Sequence, residues 1–232
     1  MPDAAAQDSF RLLVDGAARL GVPLEEGPAR AMLRLLDELE RWNAAYNLTA
    51  IRDRRQMLTH HLLDSLAARP FLCGQRIADV GTGAGFPGLP LAVACPDRHF
   101  TLIDSTAKKI RFVEHAVRAM GLTNVAALHA RIEALPSPMI FDTVIARAVA
   151  AVPALIRNVQ LLCDAHTRLV AMKGQLPRSE LAELPPGWRL LQTARVEVPG
   201  LTAERHILTL SRASEADASA TEPATDVRLG GT

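Results

Sequence analysis

The chain has 232 residues, 49% of them hydrophobic, and its 26 basic and 25 acidic side chains leave a net charge of +1. That length suits one substantial domain with an appendage rather than two independent cores, and the balanced charge excludes a strongly basic nucleic-acid coat while leaving room for a local basic patch. Three cysteines, odd in number and without a Cys-x-x-Cys spacing, exclude a disulfide framework and a zinc knuckle and point to a reducing, cytoplasmic setting without a metal.

The N-terminus lacks a basic-then-apolar leader pattern, and no apolar run approaches the roughly 20 residues of a membrane span, so a soluble chain with no membrane partner is expected. Residues 1–70 read as a helical extension. Met32, Leu35, Leu36 and Leu39 recur at helical spacing with Arg34, Asp37, Glu38 and Arg41 between them, and Pro28 suits the start of that helix. A second helix is predicted over 54–68, stopping before Pro70.

From residue 71 strands and helices alternate. Strands are predicted over 76–80, 99–103, 125–128, 141–146 and 168–172, with helices over 89–94, 107–120 and 153–162. Gly121 suits the C-terminal cap of the 107–120 helix. This order predicts an α/β domain over 71–212, doubly wound around a mostly parallel sheet with right-handed crossovers. The runs 188–198 and 205–211, joined by a short loop, predict an antiparallel hairpin at the sheet edge. The tail, 213–232, is rich in Ala, Ser, Thr, Glu and Asp without periodicity and predicts disorder.

The most informative stretch is Asp79-Val80-Gly81-Thr82-Gly83-Ala84-Gly85-Phe86-Pro87-Gly88, where an apolar strand runs into glycines and then a helix. In a doubly wound sheet this is where a cofactor crosses the carboxyl end of the first strand. Asp104 ends the second strand about 20 residues further on, where a carboxylate can accept both ribose hydroxyls; capping the next helix is its plain alternative. Nicotinamide and S-adenosylmethionine cofactors share this framework. Gly81 directly after the strand, the Gly-x-Gly-x-Gly form and the C-terminal hairpin favour the Rossmann-like class I methyltransferase sheet. Arg131-Ile132-Glu133 follows the third strand, beside the expected adenine; an ordinary helix start explains it equally well.

After the fourth strand the chain reads Ile145-Ala146-Arg147-Ala148. The Asn/Asp-Pro-Pro-aromatic motif of exocyclic-amine methylation is absent there, as is a Pro-Cys nucleophile. Guanine N7 needs neither, because its exposed lone pair carries no proton. Arg147 could then grip guanine O6, a phosphate or the cofactor carboxylate. With Lys173 and Arg205 it could form a phosphate clamp, although each alone is more often a solvated charge.

These motifs together resemble the bacterial small-subunit ribosomal RNA N7-guanine methyltransferases, the glucose-inhibited division protein B family, over about residues 30–211. The likeness rests on Trp42-Asn43, Tyr46-Asn47-Leu48-Thr49, His61-Leu62-Leu63-Asp64-Ser65, the glycine loop, Asp104-Ser105, Arg147-Ala148, Met172-Lys173-Gly174-Gln175 and Arg205-His206. It implies methyl transfer from S-adenosylmethionine to N7 of one guanosine in small-subunit (16S) ribosomal RNA, by a cytoplasmic monomer. The resemblance implies that Gly81, Phe86, Ile132, Glu133 and Arg147 contact the cofactor or lie beside it, joined as cofactor residues by Gly83, Gly85 and Asp104 from the loop reading. It places Lys173 and Arg205 on the RNA. This chain has His60-His61 where the family usually carries Arg-His. The Asn47-Leu48-Thr49 and His61–Ser65 segments are expected to lid the cleft, with capping and packing as the alternative.

Overall fold

The computed structural model describes residues 4–135, 139–148 and 150–213, and the backbone of 225–229. The expected helical extension contains α1 (Ala4–Arg19) and α2 (Glu26–Tyr46). The periodic residues of α2 do what their spacing predicts: Met32, Leu35, Leu36 and Leu39 are all buried, and Asn43 continues the stripe. The helix stops at Asn47, whose φ of 47° is left-handed and whose N–H bonds the carbonyl of Asn43.

The second predicted helix is not one regular helix. It comprises α3 (Arg54–Met57), a π-helical stretch (Leu58–Leu63) and α4 (Asp64–Leu66). Asp53 caps its start by accepting the Gln56 N–H at 2.8 Å. The wider π turn shifts the side chains that follow it around the helix axis.

Among the described residues eight strands then form one sheet: β1 (Arg76–Val80), β2 (His99–Asp104), β3 (Val125–His129), β4 (Thr143–Arg147), β5 (Arg168–Lys173), β6 (Trp188–Val196), β7 (His206–Arg212) and β8 (Thr225–Leu229). Their order is β3-β2-β1-β4-β5-β7-β6-β8. Strands β3 through β5 run parallel, and β7 joins antiparallel to both β5 and β6. The hairpin therefore folds back so that its second strand lies inside its first. Outside β6, β8 pairs in parallel. These five residues fall within the tail expected to be disordered; the rest of that expectation, 214–224 and 230–232, lies outside the described residues.

Helices α5 (Gly88–Ala94), α6 (Ala107–Met120), α7 (Val152–Val159) and the short α8 (Arg178–Ala182), which the sequence reading lacks, complete the domain. Strand alternation divides the core. In β5, Val170 and Met172 face α1–α6 while Leu169 and Ala171 face α7, and Ile207 and Leu208 split likewise in β7. Both faces of the parallel strands are covered, as such a sheet requires. The N-terminal helices share one continuous apolar cluster with α5, α6 and the sheet. After β3 the chain returns across β1 to start β4, so the carboxyl ends of β1 and β4 form the switch point where ligands bind in such sheets.

Candidate active site

The glycine loop leaves β1 at that switch point. The N–H groups of Gly81 and Thr82 both donate to the carbonyl of Ile103, at 2.9 and 3.1 Å, tying the loop to the end of β2. Below it lies Asp79, wholly buried in β1. One carboxyl oxygen accepts the Thr82 hydroxyl at 2.6 Å and the Gly88 N–H at 2.8 Å, clasping both ends of the loop. Burial pushes its carboxyl up to about 6, against the pull of those two hydrogen bonds. In the sequence Asp79 stands out only as part of the motif. Its signal is a charge inside an otherwise apolar strand, which must find partners when buried.

Two glycines of the loop serve different ends. Gly85 has a φ of 87°, and a β-carbon there would lie 2.3 Å from Leu89 Cδ1, so the residue is set by packing beneath the loop. Gly83, at φ 61°, would project a β-carbon into space with nothing within 4 Å. That open side is where a ligand can approach the backbone.

Beside it is a cavity of about 220 Å³, lined by Gly81, Asp104, Ser105, Arg131, Ile132 and Glu133 among others. Four of the expected cofactor residues, Gly81, Asp104, Ile132 and Glu133, thus meet from three strand ends in one concave site, while Gly83, Gly85, Phe86 and Arg147 do not line it. Asp104 does not cap α6, whose first turn has no side-chain cap; it braces the two loops beside it and leaves the ribose role as the expectation for its cavity face. Its Oδ2 accepts the Gly83 N–H at 2.9 Å and its Oδ1 the Thr106 N–H at 2.8 Å, just before α6, while it also lines the cavity. A carboxylate has further lone pairs for ribose hydroxyls. The glycine approach, the carboxylate and the apolar Ile132 suit the nucleoside of S-adenosylmethionine.

A second cavity, about 500 Å³, opens at the ends of β4 and β5. It brings together Arg147, Lys173 and Arg205, the three cations expected to form a clamp, with His60, His61 and Asp64. Asp64 is buried and holds two of them: its Oδ2 accepts Arg147 Nη1 at 3.1 Å and its Oδ1 accepts Arg205 Nε at 2.7 Å. Arg147 also donates to the carbonyl of His60 at 2.8 Å, a bond indifferent to the side chain at that position. Lys173 Nζ donates to Ala150 O and Glu180 Oε2, both at 3.0 Å. Ala148, immediately after Arg147, has a φ of 54°, a strained conformation for a residue with a β-carbon, at the wall of the cavity.

Phe86, expected against the cofactor or beside it, is packed inward. It is buried, stacked on His61 with ring centroids 4.6 Å apart, and the Arg147 guanidinium sits 5.6 Å from its centroid. It is absent from the lining of both cavities among the described residues and supports the site from beneath. The His61 ring is held neutral, its pKa lowered to about 3 by burial and then by the neighbouring Arg147 charge. Of the two expected lid segments, His61–Ser65 gives His61 and Asp64 to the wall of the second cavity, whereas Asn47-Leu48-Thr49 does not line it and reaches it through Thr49 Oγ1, which bonds His61 Nε2 at 3.1 Å. Asp64, a candidate only for lidding or local packing in the sequence, proves to organise the basic cluster.

Among the described residues no helix is long and apolar enough to cross a membrane, and no group of three or more His, Cys, Asp or Glu could hold a metal.

A family model described as GidB, rRNA small subunit methyltransferase G, matches residues 29–208. The ribosomal RNA small subunit methyltransferase G of Stenotrophomonas maltophilia is 45% identical over 199 residues, which cover 86% of this chain and 93% of that protein. That of Alkalilimnicola ehrlichii is 46% identical over 194 residues, covering 84% and 88%. Among solved structures, a SAM-dependent methyltransferase from Aquifex aeolicus superposes with a TM-score of 0.53 at 17% identity, over 71% of this chain and 97% of that one. Magnesium protoporphyrin IX methyltransferase from Synechocystis PCC 6803, with bound SAM, gives 0.51 at 18% identity, over 77% and 91%. At these identities the structural likeness shows a shared fold.

Proposed function

The chain belongs to the GidB family of rRNA small subunit methyltransferases, and from that premise we propose that it transfers the methyl group of S-adenosylmethionine to N7 of one guanosine in small-subunit ribosomal RNA. The observation that carries this reading is the pairing of two cavities at one sheet edge. One is nucleoside-sized and contains Asp104; the other is rich in cations, with its carboxylate already committed to two arginines.

When bound, S-adenosylmethionine supplies a sulfonium methyl that passes to the N7 lone pair as the C–S electron pair returns to sulfur, so no proton has to leave the base. The residues fit a reaction of that kind. Asp64 is tied down by Arg147 and Arg205, and His61 lacks the basicity to take a proton near neutral pH. Catalysis then falls to positioning and electrostatics. Gly81, Gly83, Asp104, Ile132 and Glu133 would hold the cofactor, with Gly85 and Phe86 shaping the loop beneath it. Arg147, between loop and cavity, would orient the base by its O6 edge or the cofactor carboxylate. Lys173 and Arg205 would engage RNA phosphates.

N7 faces the major groove, which is deep and narrow in A-form RNA, so the target belongs in a loop or distorted segment. The free cysteines accord with a cytoplasmic enzyme. The test is transfer of labelled methyl from S-adenosylmethionine to stripped small ribosomal subunits. Label should appear in the RNA with wild-type enzyme and be lost with Arg147→Ala while that variant stays folded at the assay temperature. Absence of RNA label with folded wild-type enzyme rejects the reading.

A further inference from the structure

Beyond the two cavities, the C-terminal end of α2 carries a feature that methyl transfer does not use. Tyr46 is the chain's single tyrosine and is 46% exposed. Its ring rests on Trp42, with centroids 5.3 Å apart and planes tilted by 34°. Trp42 in turn meets the buried Phe112 edge-on at 5.6 Å and the His115 ring at 5.1 Å. A stack of rings thus anchors Tyr46 to the core, so little side-chain freedom remains to be lost when a ligand covers it.

Cations lie at the Tyr46 carbonyl and at the residue that follows. Lys108 Nζ donates to the Tyr46 carbonyl at 3.0 Å, and Arg52 Nη2 donates to Asn47 Oδ1 at 2.9 Å. Lys108 lies in the first turn of α6, beside Lys109, whose ammonium is 3.8 Å from Asp104. The Tyr46 backbone is thus tied to the start of α6, the helix that follows Asp104 of the cofactor cavity.

The loop between Tyr46 and the acceptor cavity is braced rather than loose. Asn43 accepts the Thr49 N–H at 2.9 Å and donates to the Thr49 carbonyl at 3.0 Å. Thr49 bonds His61, and Ile51 reaches the cavity wall. An exposed aromatic face, flanking cations and a rigid connection to the acceptor cavity are what single-stranded RNA requires, because unstacked bases lie on aromatic rings while phosphates seek cations.

We propose that Tyr46 is a stacking platform for an unpaired nucleotide neighbouring the target guanosine, with Lys108 and Arg52 facing its phosphates. The proposal rests on small-subunit RNA being the substrate. It gives the Tyr46–Thr49 motif a role in seating the RNA.

The experiment measures steady-state methylation of stripped small subunits by wild-type, Tyr46→Ala and Tyr46→Phe enzymes, with S-adenosylmethionine affinity measured separately by calorimetry. Tyr46→Ala should raise KM for the subunit roughly 5- to 100-fold, the range for losing one stacked base. Tyr46→Phe, which keeps the π face, should stay near wild type, and cofactor affinity should be unchanged in both. A Tyr46→Ala enzyme with wild-type KM, or a Tyr46→Phe enzyme as impaired as Tyr46→Ala, overturns the platform while leaving the methylation assignment in place. A wild-type enzyme that puts no methyl on the RNA overturns that assignment instead.

Discussion

Asp64 and Arg205, 141 positions apart in the chain, meet through a 2.7 Å hydrogen bond between Oδ1 and Nε. The other carboxylate oxygen takes Arg147. A single buried anion thus fixes two guanidinium groups that would otherwise repel each other in one cavity. Truncating one member of such a cluster costs several kcal/mol, much of it from leaving the other charges uncompensated.

Asp64→Asn should therefore lower kcat/KM for the RNA by on the order of 30-fold or more, with cofactor affinity nearly kept. The effect should be strongly non-additive with Arg205→Lys, because both substitutions break one contact. Steady-state kinetics of the double-mutant cycle checks this. Additive losses would mean that Asp64 acts independently of Arg205.

The glycine loop offers a paired comparison. Gly85→Ala places a β-carbon against Leu89 at a φ of 87°, whereas Gly83→Ala meets open space at a φ of 61°. Gly85→Ala should unfold at a clearly lower temperature. Gly83→Ala should lose only about 1 kcal/mol to backbone strain yet bind S-adenosylmethionine far more weakly. Thermal melts and calorimetry on the two variants separate these outcomes.

Asp79 makes stability depend on pH. Its folded pKa of about 6 lies above the ordinary 3.8, so the folded chain binds this proton more tightly than the unfolded chain. The resulting stability is fully present below the unfolded value and is lost as pH rises through about 6. His61 has the opposite sign: its folded pKa is lowered from 6.5 to about 3, so its contribution is present above 6.5 and lost as pH falls. Comparing wild type with Asp79→Asn isolates the carboxyl. Between pH 4 and 7.5 the stability difference should move in favour of the variant by roughly 2–3 kcal/mol, read from denaturant titrations at each pH.

Much of the site was legible because it lies where strands end. An apolar run that stops at Gly81, Asp104, Arg147 or Lys173 places those residues at one sheet edge once the sheet is parallel. Asp64 was harder to assign because its partners are distant in sequence and are chosen by tertiary packing. The π turn at Leu58–Leu63 left no mark on a helical hydrophobic pattern. Phe86 shows the limit from the other side: its place in the loop was plain, but sequence spacing does not tell which face of the loop its ring supports. The pairing of β8 with β6 was hidden by a composition typical of disorder.

The central claim is the identity of the methylated atom. Small subunits lacking the modification should be incubated with enzyme and S-adenosylmethionine carrying a deuterated methyl, and the RNA digested to nucleosides for mass spectrometry. The account predicts that the heavy methyl appears in 7-methylguanosine. Heavy methyl on an exocyclic amine, a ribose hydroxyl or a pyrimidine carbon would contradict it.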